Sequence, residues 1–220
     1  MAGKAKATLR PGRRGEPEQT AAAILKAALH EFSAEGVAGA RTDAIARAAG
    51  VNKALLYYYF KDKEALYGAV IDNVFSGLRE RVLEVLSVDA PPQERLRAYA
   101  GAHFDFAAGS TDFARILQHE LMRSGRTKSP HLKHIATSYF RPMYGKLSEV
   151  FREGIESGEF REVDVRGFVI CMTGCIVHYF HSIPFAVSMG NSDPLSAENL
   201  AAQKATVLDF ITHAVMKEKP

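Results

Sequence analysis

The stretch from Thr42 to Leu66, TDAIARAAGVNKALLYYYFKDKEAL, constrains the fold more tightly than any other part of the chain. It punctuates three helical runs with stop and start signals at close spacing. Thr42 is expected as an N-cap whose hydroxyl takes a backbone N–H. Ile45, Ala48 and Ala49 then recur at helical spacing until Gly50 ends the run in a position that tolerates positive φ. Asn52 is expected to cap the next helix. Val51 before that cap and Leu56 after it have the spacing of a hydrophobic staple, which fixes the angle at which the second helix leaves the turn. Leu56 and Phe60 should face inward, leaving Lys53, Ala54, Leu55, Tyr57 and Tyr58 to project from the other faces. Asp62 can cap a third helix with Lys63 in its first turn, where backbone N–H groups, the helix dipole and the ammonium favour a phosphate. Such a pair of short helices joined by a tight turn is a helix-turn-helix, and it points to the major groove of duplex DNA.

From about Thr20 to Leu66 the sequence resembles the DNA-binding domain of the TetR/AcrR family of bacterial transcriptional regulators, carried by AAILKAALHEFSAEGVAGARTDAIARAAGVNKALLYYYFKDKEAL. Ala54 stands where that family often has Gly, and Leu55 where Thr or Ser is common. Both lie on the recognition helix, so they bear on the base sequence read and not on the fold. The resemblance implies phosphate contacts from Thr42, Lys53, Tyr57, Tyr58 and Lys63, with Ala54 and Leu55 near base edges. It also implies a ligand-binding and dimerisation domain in the rest of the chain, the last two helices of each subunit packing as a four-helix bundle. The expected function is a ligand-responsive regulator, a repressor foremost, whose homodimer binds a palindromic double-stranded DNA operator and is released by a small-molecule effector.

The chain has 220 residues with 47% hydrophobic content, enough for one sizeable core and a small satellite. The net charge of +3 is unevenly placed, since Lys4, Lys6, Arg10, Arg13 and Arg14 precede Glu16. Residues 1–15 are therefore expected as a basic disordered arm with a possible reach to DNA, 16–65 as the helix-turn-helix domain and 66–220 as the second domain. No internal repeat or strand-like alternation interrupts the helical periodicity, so the fold class expected is all-α. A long helix from Asp62 to about Leu86 should bridge the domains. Further helices are expected from Pro92 to Gly109, over a shorter run ending near Ser124, and from Ser129, as N-cap, towards Glu156 with a kink at Pro142. Asp164 should cap VRGFVICMTGCIVHYFHSIPF, apolar nearly all round, and residues 184–194 read as a loop before a last helix over about 197–217. An all-round apolar helix must be covered on both sides, which points to a second copy of the chain over Val165 to Phe180 together with Val207 to Val215.

On the expected architecture the effector pocket gathers His103, Phe104, Leu117, Glu120, Leu121, Tyr139, Phe140, Met143, Met172, Cys175 and Tyr179, a mainly apolar set with a few orienting polar groups. His103 and Glu120 are the pair suited to fix a polar group of the ligand. Cys171 and Cys175, one turn apart, suit small buried side chains in a reducing compartment, with a redox sensor as the alternative. His178 with His181 and His131 with His134 share faces, but no dense ligand cluster accompanies them, so neither a metal nor another cofactor is expected. There is no nucleophile elbow, phosphate loop, dinucleotide fingerprint or zinc-protease motif, and no catalytic residue is nominated; an all-helical enzyme is the alternative from another class. No apolar leader and no run long enough to span a bilayer is visible, which makes a cytoplasmic protein without a membrane partner the expectation.

Overall fold

The computed structural model describes residues 17–124 and 129–217. The basic arm expected over 1–15 and most of the polar loop at 124–129 lie outside the described residues. The described residues form helices joined by turns, with one isolated bridge between Phe160 and Met216. It divides into two compact units between Asn73 and Val74, inside a helix.

The first unit holds α1 (Pro17–Gly39), α2 (Thr42–Ala48), α3 (Lys53–Tyr59) and the start of α4 (Lys63–Leu86). Ile24, Phe32, Ile45, Leu56, Leu66 and Tyr67 are fully shielded from solvent, so every helix contributes to one small core. Phe32 and Tyr67 meet edge to face with ring centroids 4.9 Å apart. The local signals are visible one by one. Gly50 sits at φ 69°. The Asn52 side chain accepts the Leu55 N–H at 2.7 Å, and Asp62 accepts the Ala65 N–H at 2.8 Å. Thr42 departs from expectation, because it is the first residue of α2 and Arg41 holds the N-cap position. Glu31 accepts the Arg41 N–H at 2.9 Å, which sets the helix entry one residue early. The Thr42 hydroxyl, released from capping, lies 3.2 Å from the Tyr57 hydroxyl and joins α2 to α3.

The second unit runs from the rest of α4 through α5 (Pro92–Gly109), α6 (Thr111–Ser124), α7 (Pro130–His134), a π-helical turn (Ile135–Phe140), α8 (Arg141–Glu156), α9 (Val165–His181), α10 (Ile183–Ser188) and α11 (Ala197–Val215). Helix α5 is the hub, with α6, α8, α9 and α11 packed on it and Leu96, Ala100, Phe104 and Ala107 buried. Arg95 at its start is almost wholly buried. Its Nε and Nη2 donate to the Leu86 carbonyl at 3.1 and 2.8 Å, and Nη1 meets Glu153 Oε2 at 2.5 Å, so one guanidinium ties the end of α4 to α8. The Phe160 ring lies flat against Gly154, where an added Cβ would come within 2.3 Å of it.

Four expectations change in this unit. The kink expected at Pro142 is a π turn just before it. Pro142 has no N–H, and the Arg141 N–H reaches back to Ala136 O, so the helix widens by one residue per turn instead of breaking. The expected loop at 184–194 begins as α10, since Pro184 falls in its first turn, where no N–H is needed. Ser129 holds an N-cap position, but its hydroxyl donates to buried Glu120 Oε2 at 2.5 Å instead of capping. Cys171 is exposed and Cys175 half-buried, because the α9 face that carries them is left open in the single chain.

Candidate functional site

Among the described residues, the faces of α2, α3 and the start of α4 in the first unit and a cavity in the second present candidate binding groups.

On the first, Lys53, Ala54, Tyr57 and Tyr58 are exposed and Leu55 is half-buried. Tyr58 is 81% exposed, an unusual position for a large aromatic ring unless a partner covers it. Lys53 Nζ rests 3.1 Å from Asp43 across the turn. Lys63 donates to the Ala38 and Ala40 carbonyls at 3.3 and 3.2 Å, so its ammonium also closes the carbonyl end of α1. Thr42 and Tyr57 are joined by their hydroxyls, as described above. Arg41 and Arg47 are further exposed cations on α2 or beside it, which attention to the recognition helix alone passed over. Their places flanking the first helix of the pair were the signal.

The cavity measures about 690 Å³, within the range of small-molecule sites. Tyr99 of α5, and Ala136 and Phe140 of the π turn, form one wall. Met143, Tyr144 and Leu147 of α8 face Val169, Ile170 and Thr173 of α9, and Arg141 and Arg166 complete the lining. The Tyr99 hydroxyl shares a hydrogen bond with Thr173, while burial pushes its pKa up to about 12 and keeps it neutral.

Of the residues nominated for a ligand, Phe140 and Met143 line this cavity. Phe104 is buried against Tyr179 and Phe180, and Leu117, Tyr139 and Met172 are also buried. Tyr179 donates to the Pro194 carbonyl at 2.6 Å and pins the segment before α11. Leu121 is 55% exposed, at the edge of the α6 face that buries Phe113, Leu117 and Glu120. His103 and Glu120, expected to fix a polar group of the ligand, lie outside the lining of this cavity: Glu120 is held by Ser129, and neither ring nitrogen of His103 has a hydrogen-bond partner among the described residues. Desolvation lowers the His103 pKa to about 4, so the ring is neutral among Tyr99 and Phe113. Tyr99, one turn before His103, Leu147, and Val169, Ile170 and Thr173 of α9 line the cavity without having been among the residues expected there. Periodicity marks them as inward-facing, but which inward positions leave a space depends on the helices opposite.

Each of the two units carries a match to a known family. Residues 24–70 match the family of bacterial regulatory proteins called the tetR family, and residues 92–211 match the tetracyclin repressor-like C-terminal domain. The HTH-type transcriptional repressor SCO4008 of Streptomyces coelicolor is 33% identical over 65% of this chain and 68% of its own length. The fatty acid metabolism regulator protein of Bacillus subtilis is 31% identical over 65% of this chain and 72% of its own. Among solved structures, a tetR-family regulatory protein from Rhodococcus RHA1 shares the fold with a TM-score of 0.74 at 21% identity, covering 91% of this chain and 98% of the other.

Proposed function

The chain belongs to the TetR family of bacterial regulatory proteins and is a transcriptional regulator, and we propose that it is a homodimeric repressor of a palindromic operator, released by a small molecule bound in the cavity of its second unit. The observation that carries this reading is the capped helix α3, which leaves Lys53, Ala54 and Tyr58 exposed on one solvent-facing surface. A helix so presented matches the width of a major groove.

Dimerisation is supported by what a single chain leaves uncovered. Ile170 on α9 is 65% exposed and Phe210 on α11 is 59% exposed, on two helices that pack together, whereas Val207, Ile211 and Val215 are buried within the subunit. The partner surface is therefore the Phe210 side of α11 with the Ile170 to His178 face of α9. Release is supported by the contacts of the π turn. Phe140 lines the cavity and lies 6.0 Å from Phe75 of α4, while Arg79 of α4 donates to the Ser138 carbonyl at 3.4 Å and covers the Tyr139 ring. A ligand that moves the π turn acts on α4, the helix that continues into the first unit; its leverage equals its differential affinity for the two states.

The test is selection of bound sites from random duplex DNA, with sedimentation of the free protein. An inverted repeat and a dimer at micromolar concentration are expected, with Phe210→Glu folded but monomeric and Ile211→Glu unfolded. Recovery of single half-sites by a monomer would end this reading.

A further inference from the structure

The lining of the cavity is electrostatically one-sided. Arg141 and Arg166 both contribute to it, and no acidic side chain does among the described residues. Asp164, the carboxylate nearest in sequence to Arg166, is occupied with the Arg166 and Gly167 N–H groups at 3.2 Å each. The acids around α8 are engaged elsewhere: Glu149 with Lys146, Glu153 with Arg95, and Glu156 with Arg152. Two exposed guanidinium groups with no ion-pair partner among the described residues thus border a space whose remaining wall includes Tyr99, Phe140, Met143, Leu147 and Val169. A guanidinium is more weakly hydrated than an ammonium and offers a planar fork that fits a carboxylate in two hydrogen bonds. The π turn that Pro142 imposes belongs to a kind of winding that is frequent at functional sites. Here it supplies Ala136 and Phe140 to the wall and places Arg141 directly after it.

We propose that this cavity binds an amphiphilic monoanion, its carboxylate between Arg141 and Arg166 and its apolar body against Tyr99, Phe140, Met143 and Leu147. This rests on the reading of the cavity as the effector site and adds the chemical class of the effector. Tyr99 and Thr173 satisfy each other at the inner end, so that end takes hydrocarbon and asks for no polar group.

The experiment uses three probes of equal chain length, octanoate, 1-octanol and octylammonium, titrated by calorimetry into the full-length protein. Octanoate is expected to bind once per subunit, about tenfold or more tighter than octanol, with octylammonium the weakest. In the double variant Arg141→Gln, Arg166→Gln the affinities of octanoate and octylammonium should converge on that of octanol with the melting temperature unchanged, while Arg152→Gln, on α8 but outside the cavity, keeps the preference. Octanol binding as tightly as octanoate, a preference that survives in the double variant, or no octanoate binding at millimolar concentration overturns the proposal. Operator release is measured alongside. Anion-selective binding that leaves DNA affinity untouched upholds the proposal and removes the effector reading. Release by some other compound, with octanoate not bound, does the reverse.

Discussion

The two units differ in how their sequences determine them. In the first, the turn and the starts of α3 and α4 are set by groups within a few residues: Asn52 on the Leu55 N–H, Asp62 on the Ala65 N–H, Gly50 in the turn. In the second, the decisive contacts join residues far apart, such as Arg95 with Glu153 and His181 with the Ala114 carbonyl. A unit of the first kind keeps one shape in many sequence contexts, as a device that must fit a fixed DNA groove requires. A unit of the second kind can vary its interior while keeping its helices, as a sensor for different ligands requires.

The contrast is tested most severely at Arg95. Arg95→Met should remove the link between α4, α5 and α8, leaving the Leu86 carbonyl and Glu153 without their main donor, at a cost of about 3 kcal/mol in urea unfolding. A loss below about 1 kcal/mol would show that the second unit does not depend on this long-range tie.

His103 gives a pH-dependent version of the same test. Its folded pKa is about 4, below the ordinary 6.5, so between those values the unfolded chain binds the proton and the folded one does not. Stability from the neutral ring is complete above pH 6.5 and is lost as pH falls towards 4. From pH 7 to 5 the loss from this group should be about 2 kcal/mol. His103→Phe, which keeps an aromatic ring beside Tyr99 and Phe113, should lose that much less than the wild type over the same interval. Parallel stability curves for the two proteins would mean that water or a polar neighbour serves the ring.

How much was legible follows the same division. The helix-turn-helix was readable because caps, staple and turn are local, and the element order was readable because periodicity survives wherever a helix has one buried face. Thr42 was misplaced as a cap because the deciding group, Glu31, lies on another helix. The π turn was read as a kink because the missing N–H of Pro142 marks where a register must change but not how. The cavity was the least legible part. Apolar positions on α5, α8 and α9 all read as inward-facing, and whether His103 or Tyr99 meets a space depends on residues some forty to seventy positions away. His103, a good ligand group by type, lies in packed interior, and the arginines at the cavity border looked like ordinary helix-start residues.

A smaller effect is expected in the first unit. Asn52→Ala removes the one side-chain cap of α3 and should cost about 1 kcal/mol, the usual value for such a cap. DNA affinity should fall in parallel for all sequences, because the recognition helix loses its defined start. Unfolding measured with a probe in this unit reports it, and an effect as large as that of Arg95→Met would remove the contrast between local and long-range control.

The smallest change in stability and the sharpest in binding belongs to the two lysines. Lys53 is half-exposed and paired with Asp43, so Lys53→Ala should shift stability by less than about 1 kcal/mol. If its ammonium leaves Asp43 for a phosphate on binding, the dependence of log affinity on log salt should flatten by about one unit, with no change in sequence preference. Lys63→Ala separates two roles. The ammonium holds the Ala38 and Ala40 carbonyls at the end of α1, so losing it weakens the unit as well as any phosphate contact. Lys63→Met keeps the aliphatic stem and removes the charge, and should lower the salt slope as Lys53→Ala does while costing more in stability. A salt slope that falls for Lys53→Ala and stays constant for Lys63→Met would assign Lys63 to fixing the end of α1 alone, leaving the backbone N–H groups at the start of α4 to meet the phosphate.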